Sequence, residues 1–263
     1  MTPHPGGGPF RAGDRVLLVD TKGRRYLVTL ADGGSFHSHH GFVEHGELIG
    51  QPEGTTLRTQ NGAKYLAVRP TLADVVLKMP RGAQVIYPKD LGPILILADV
   101  FPGARILESG VGSGALSMTL LRAGAHVVGY EVREDFAARA QENVAAFVGP
   151  EVAEANYRVE VRDVYEGIDE TGLDRVVLDL PEPWQAVAHA ERALHPGGIL
   201  VVYVPSIIQV SRLHDELSTS AFGMAQTSEV LVRTWKVDGV AVRPDHRMVA
   251  HTGFLTAARL LKV

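Results

Sequence analysis

From Phe10 to about Pro70 apolar residues alternate with polar ones or run in short blocks, and no helical period survives. RVLLVD (15–20) and RYLVTL (25–30) flank a TKGR turn. TTLRTQ (55–60) and AKYLAVR (63–69) flank Asn61-Gly62, a dipeptide suited to the positive φ angles of a tight hairpin turn. The pattern predicts a small β domain over 10–78, closed in part into a barrel. Residues 1–9 are rich in Pro and Gly and are expected to form a disordered leader.

After Met79 the rhythm changes. PRGAQVIYPKD is a polar connection and LGPILILADVF a predicted helix. Apolar strands then alternate with amphipathic helices: ARILES, GALSMTLLRAG, AHVVGYE, EDFAARAQENVAAFV, YRVEVRD, DRVVLDL, WQAVAHAERAL, GILVVYV and IIQVSRLHDELS. Such βαβα alternation predicts a mostly parallel sheet covered on both faces, a Rossmann-like α/β fold over 79–263. SEVLVRTWKV and GFLTAARLLKV read as two strands with no helix between them, so the sheet is expected to end in an antiparallel hairpin.

Composition narrows the class. The 263 residues are 45% hydrophobic and 21% charged and contain no cysteine, which excludes disulfides and thiolate metal sites. The opening MTPHPGGGPF lacks a basic start and an apolar core, and no run approaches the roughly 18 apolar residues that cross a bilayer. A cytoplasmic protein with no membrane contact is expected. Net charge is −4, yet residues 1–90 hold 11 Lys and Arg against 8 Asp and Glu, and the remainder 15 against 22. The basic first third permits a polyanion to dock there; ordinary solvated strand faces explain the same charges.

The densest chemistry is LESGVGSGAL (107–116). Gly110, Gly112 and Ala115 fit the dinucleotide fingerprint G-x-G-x-x-G/A, while Gly110, Gly112 and Gly114 also read G-x-G-x-G behind Glu108. Ligands of a doubly wound sheet sit beyond the C-terminal ends of its strands, and four of those ends are acidic: Glu108, Glu131, Asp163 and Asp179. A carboxylate at Glu131 suits a ribose diol, which is common to nicotinamide and S-adenosylmethionine sites. Glu108 favours the second, since an acid before the glycines suits a sulfonium or a methionine amino group. Asp163 is placed for an adenine amino group, and Asp179 is left for chemistry. Helix capping is the plain alternative for any one of these acids.

GPFRAGDRV, MPRGAQVIYPKD (79–90), ESGVGSGAL (108–116), YEVRED (130–135), VLDLPEPW (177–184), VVYVPSIIQVSRL (201–213) and HTGFL (251–255) together resemble the bacterial and archaeal tRNA (adenine-58-N1)-methyltransferases, with an actinobacterial character. The resemblance runs nearly end to end. It implies a small N-terminal β domain on a class I S-adenosylmethionine-dependent methyltransferase domain, a tRNA substrate and a homotetramer. It further implies that Ser113, Gly114, Ala115 and Leu116 line the methionine end of the cofactor pocket. Glu131 then holds the ribose, Asp163 the adenine, Asp179 is the catalytic carboxylate, and Tyr87 lies beside the target base. Ser109 stands where alanine is frequent, Pro181 where methionine is frequent, and the connection Arg122 to Ala125 is short. Two rival readings stay open: a non-catalytic RNA-binding paralogue, and a nicotinamide-dependent oxidoreductase resting on G-x-G-x-x-A alone.

FHSHHGFVEH (36–45) supplies His37, His39, His40 and His45, but without acidic or thiol partners at convincing spacing, so no metal is expected. His37 and His39 would share one strand face. Trp184 and Trp235 are read as core or subunit-interface residues. Arg233, Lys236, Arg243, His246 and Arg247 form a basic run that suits phosphate or an exposed hairpin loop equally.

Overall fold

A computed structural model describes residues 8–82 and 84–261. Most of the expected leader, residues 1–7, lies outside the described residues. Contacts divide the chain into two compact units, Met1–Met79 and Pro80–Val263.

The first unit contains β1 (Arg15–Asp20), β2 (Arg25–Thr29), β3 (Ser35–Ser38), β4 (Gly41–Glu44), β5 (Thr56–Arg58), β6 (Lys64–Val68) and helix α1 (Leu72–Lys78). An antiparallel sheet of order β2-β1-β6-β5 and a separate β3-β4 hairpin make up its strands. The ladder does not close into a barrel among the described residues, because β2 and β5 remain its two edges. Val16, Leu18, Leu57 and Tyr65 project from alternate strand positions into one core, where Tyr65 meets Tyr26 and Phe36 edge-on. Helix α1 has no counterpart in the hydrophobic pattern: its seven residues are too few to show a period. Its signal is Thr71-x-x-Asp74, in which the Thr71 hydroxyl accepts from the Asp74 N–H and the Asp74 carboxylate accepts from the Thr71 N–H.

The second unit runs α2 (Pro88–Leu97), β7 (Arg105–Ser109), α3 (Ala115–Arg122), β8 (His126–Glu131), α4 (Glu134–Val148), α5 (Pro150–Asn156), β9 (Tyr157–Val161) and β10 (Leu173–Asp179). It continues with a short 3-10 turn (Pro183–Ala186), α6 (Val187–Ala193), β11 (Leu194–Val204), α7 (Ile207–Thr219), β12 (Phe222–Glu229), β13 (Trp235–Asp238), β14 (Ala241–Pro244) and β15 (Phe254–Leu260). The seven-stranded sheet has the order β12-β15-β11-β10-β7-β8-β9. Every pairing from β11 to β9 is parallel, and β15 inserts antiparallel between β11 and β12. β7 has β8 on one side and β10 on the other, so the crevice where the chain reverses its strand order opens above β7.

Two expected elements differ. The antiparallel partner of β15 starts at Phe222 and ends at Glu229, rather than spanning 228–237. Residues after Glu229 leave the sheet and form their own hairpin, β13-β14. Its first strand, β13, was expected in the sheet because VLVRTWKV is apolar, yet Trp235 is 59% and Val237 71% exposed. The expected helix at WQAVAHAERAL begins as the 3-10 turn, and a further helix, α5, follows the break at Gly149-Pro150. Among the described residues no helix is long and apolar enough to cross a membrane.

Candidate active site

β7 delivers Glu108 and Ser109 to the crevice, and the chain turns at once through three left-handed glycines, with φ of 86° at Gly110, 57° at Gly112 and 84° at Gly114. At Gly110 a side chain is sterically impossible, since a Cβ would lie 2.0 Å from the Asp179 carbonyl oxygen. That close approach places the glycine loop against the end of β10. Gly114 caps α3 in the left-handed conformation while packing against Val144 and Ala140 of α4. Asn143 of α4 donates from Nδ2 to the Ser113 carbonyl at 3.1 Å and to the Pro80 carbonyl at 3.2 Å, fixing the loop from behind.

One pocket brings together Glu108, Gly110, Gly112, Ser113, Ala115, Leu116 and Asp179, with Gln84 to Ile86 forming part of its wall. Glu131, at the end of β8, stands beside it. One Glu131 oxygen accepts from the Gly112 N–H at 2.9 Å and the other from the Arg133 N–H at 3.1 Å, so this carboxylate shapes the loop. A carboxylate has about four acceptor sites, which leaves capacity for a diol.

Asp163 and Tyr87 lie outside that wall. Asp163 closes a local turn after β9, its Oδ1 accepting from the Tyr165 N–H at 2.9 Å. Tyr87 precedes Pro88 as the N-cap of α2, and its carbonyl accepts from the Asp90 and Leu91 N–H groups.

Electrostatics set the site apart. Burial, reinforced by the Glu131 charge, pushes the Asp179 carboxyl up to about 7. Burial and the charges of Asp179 and Glu131 push Glu108 up to about 8, against the pull of a hydrogen bond from Ser117. Like charges around one glycine cradle thus disfavour the ionisation of Glu108 and Asp179, and a cationic ligand relieves both. The loop's tight approach to β10 and this acid-rich wall fit the sulfonium and ammonium of S-adenosylmethionine.

Sequence reasoning missed Tyr203. It pairs with Asp179 in the β10–β11 register, is pushed up to about 12 by burial, and donates to the Thr252 carbonyl at 2.8 Å. Gly253 makes room for it, because a Cβ there would lie 2.4 Å from the ring. The signal was positional: Tyr203 sits one strand over from Asp179, near a strand end. Nor did the sequence indicate what holds the loop after Asp179. Gln209 of α7 donates to the Pro181 carbonyl at 2.7 Å, and the Arg212 guanidinium lies 4.2 Å from the Trp184 ring centre.

The histidine segment does not join any such cluster. His45 is buried, its Nδ1 accepting from the Ala31 N–H at 3.0 Å, and His39 falls in the turn after β3 instead of on a strand face with His37. Among the described residues no group of three or more His, Asp or Glu side chains is placed to hold a metal ion.

A parallel sheet with one antiparallel insertion, a glycine turn after its first strand and an acid at the end of the next define a class I S-adenosylmethionine-dependent methyltransferase. The profile of the family described as the tRNA methyltransferase complex GCD14 subunit matches residues 64–243, and that of the TrmI-like N-terminal domain matches 8–57. The tRNA (adenine(58)-N(1))-methyltransferase TrmI of Thermus thermophilus is 40% identical over 251 residues, covering 94% of this chain and 97% of that protein. The crystal structure of tRNA (m1A58) methyltransferase TrmI from Aquifex aeolicus superposes with a TM-score of 0.84 at 29% identity, covering 97% of this chain and 100% of that one. A structure reported as an S-adenosylmethionine-dependent O-methyltransferase from Thermotoga maritima superposes at 0.92 with 34% identity, covering 99% and 98%. The chain belongs to the tRNA (adenine-58-N1)-methyltransferase family.

Proposed function

We propose that this protein methylates N1 of adenine 58 in the T-loop of tRNA, in the cytoplasm, with S-adenosylmethionine as donor. The observation that carries the reading is the position of Asp179: a carboxyl with no hydrogen-bond partner among the described residues, on the wall of the glycine pocket, beside Tyr203 in register. S-adenosylmethionine supplies an electrophilic methyl carbon. Residues 79–263 act as the catalytic domain, with 10–78 as the β domain. Glu108, Ser113, Gly114, Ala115 and Leu116 hold the methionine end, Gly110 and Gly112 form the cofactor turn, Glu131 holds the ribose and Asp163 the adenine.

The target base is extruded from the tRNA, at a cost of a few kcal/mol on the order expected for base flipping. Tyr87 stacks beside it. Asp179 accepts a hydrogen bond from the adenine N6 amino group, aims N1 along the line of attack and opposes the positive charge that grows on the ring. Burial and the Glu131 charge hold Asp179 partly protonated near neutral pH; a bound cation draws it toward the ionised acceptor the reaction needs.

Self-association as a homotetramer is part of the proposal. Its support is the segment 230–250, where Trp235, Val237, Val240 and Val242 stand exposed on the β13-β14 hairpin, an apolar surface characteristic of a protein contact. Arg233, Lys236 and Arg243 lie exposed on the same segment and suit tRNA phosphate.

The reading is tested by transfer of labelled methyl to unmodified tRNA transcripts with adenine 58 present or replaced. Incorporation should require that adenine and map to its N1. A hydroxyl acceptor is the second reading, motivated by the Thermotoga protein's description; methyl incorporation into ribose oxygen, indifferent to the base, would establish it instead.

A further inference from the structure

Glu108 is 1% exposed, and the side chain that reaches it belongs to none of the sequence motifs' expected contacts. Ser117, fully buried on α3, donates its hydroxyl to Glu108 Oε2 at 2.6 Å. Tyr157, the first residue of β9, donates its own hydroxyl to Ser117 Oγ at 3.1 Å. Two hydroxyls in series therefore point toward one carboxyl, one from the face of α3 behind Ala115 and Leu116 and one from β9, which has no residue in the pocket wall. The direction is forced by supply: Ser117 has one proton to give, and Tyr157 fills the acceptor side of the same oxygen. The charged groups facing Glu108 are Asp179 from β10 and Glu131 from β8, both negative. Nothing on those two strands helps Glu108 ionise; the hydroxyl chain opposes them.

We propose that Ser117 and Tyr157 are positioning residues that act through Glu108, holding its carboxyl in place and favouring the ionised form that receives the ammonium end of S-adenosylmethionine. The inference rests on the methyltransferase reading above. Its physical content is a tug between the like charges of the cradle, which keep Glu108 neutral, and the relay, which frees it to meet a cation. Burial is the largest influence pushing Glu108 upward, and the Ser117 hydrogen bond is the largest in the other direction. Removing the relay therefore raises the pH at which the pocket becomes fully receptive.

The test is titration of S-adenosylmethionine into the full-length protein from pH 6 to 9.5. Wild type is compared with Ser117→Ala, Tyr157→Phe, Glu108→Gln and the Ser117→Ala/Glu108→Gln double variant. Wild-type affinity should rise with pH through about 8, where Glu108 titrates. In Ser117→Ala the midpoint should move up by about one pH unit, making binding at neutral pH about tenfold weaker. Tyr157→Phe, which keeps the ring, should shift it the same way by less. The ligand's own amino group titrates identically in every variant, so it cancels from the differences. Glu108→Gln should remove the step that belongs to Glu108 while leaving those of Asp179 and of the ligand's amino group, and adding Ser117→Ala to it should change affinity by less than about twofold, the signature of one residue acting through another. A Ser117→Ala profile that superposes on wild type, or an equal loss in the Glu108→Gln background, overturns the relay while leaving the cofactor assignment intact. Failure of wild type to bind S-adenosylmethionine at any pH overturns the assignment itself, and the relay with it.

Discussion

Two aspartates in the same unit lie near the ends of the site and are held in opposite ways. Asp90, from the first turn of α2, is wholly buried. Its Oδ1 takes the Lys89 ammonium at 2.8 Å and its Oδ2 takes the Thr252 hydroxyl at 2.7 Å, while Lys89 also donates to the Val230 carbonyl at 2.7 Å. Asp179 has neither cation nor donor among the described residues, and faces two other carboxyl groups. Asp179 is half-buried rather than wholly buried, yet a carboxylate partly withdrawn from water without partners is still costly, so its retention needs a reason outside the fold. Asp90 serves the fold: with Lys89 it ties the turn beginning at Tyr87 to both feet of the 230–252 excursion. Asp179 waits for something brought in from outside.

The largest break in that comparison comes from Asp90→Ala. The variant strands a buried ammonium with only the Val230 carbonyl, and should lose about 3–5 kcal/mol of stability, the range for halving a buried ion pair. Urea unfolding at pH 7 measures it. A loss within the range of an exposed pair, under about 1 kcal/mol, would put Asp90 on the same footing as a surface residue.

Asp179→Ala should do the reverse: leave the fold intact and remove chemistry. Methyl transfer should fall by about 10²–10³, as when one preorganised charge-stabilising group is deleted, with S-adenosylmethionine binding retained. Single-turnover transfer under saturating cofactor separates the two effects. Loss of binding with unchanged turnover at saturation would reassign Asp179 to the cofactor alone.

The pH dependence sharpens the contrast with an explicit sign. An acid raised in the folded state from 3.8 to about 7 binds a proton more tightly when native, so its contribution falls as pH rises from about 4 and levels off above 7. Asp179→Asn abolishes that loss. It should stabilise the protein at pH 8 by an amount on the order of a few kcal/mol, and by much less at pH 5. Thermal melts of both proteins across that range decide it, and a variant less stable at pH 8 would mean that the native carboxylate has a partner.

The division of labour was only half visible in the sequence. The glycine turn, the strand-end acids and the parallel sheet followed from local rules, because a left-handed turn needs glycine and a two-face-buried strand needs an apolar run. What failed was wherever an apolar residue is not buried inside its own chain. VLVRTWKV reads as a core strand, yet Trp235 and Val237 are exposed, because a short apolar run has the same period whether it is buried in a sheet or stands on an exposed hairpin. Nor does a sequence say which side chains meet across tens of positions. The Asp90–Thr252 contact, the Ser117–Tyr157 contact and the Asp179–Tyr203 pairing are products of strand order. The 3-10 turn after Asp179 likewise depends on Gln209 and Arg212 of α7, which arrive only once the sheet is assembled.

The smallest expected effect probes how Asp90 is divided between its two partners. Thr252→Val keeps the shape of the side chain and removes one charge-assisted hydrogen bond, which should lower stability by about 1.5–3 kcal/mol. Thr252→Ser should restore most of it, since the hydroxyl returns without the methyl. Tyr203 adds a second readout, because its hydroxyl donates to the carbonyl of the same Thr252. If the clamp and the site are mechanically one, Thr252→Val should also lower turnover severalfold at unchanged S-adenosylmethionine affinity, and Thr252→Ser should rescue both. Stability lost without any change in turnover would confine Asp90 to the fold and leave Asp179 to present the base unaided. The comparison would then separate the two aspartates completely, although a single residue, Tyr203, lies between their networks.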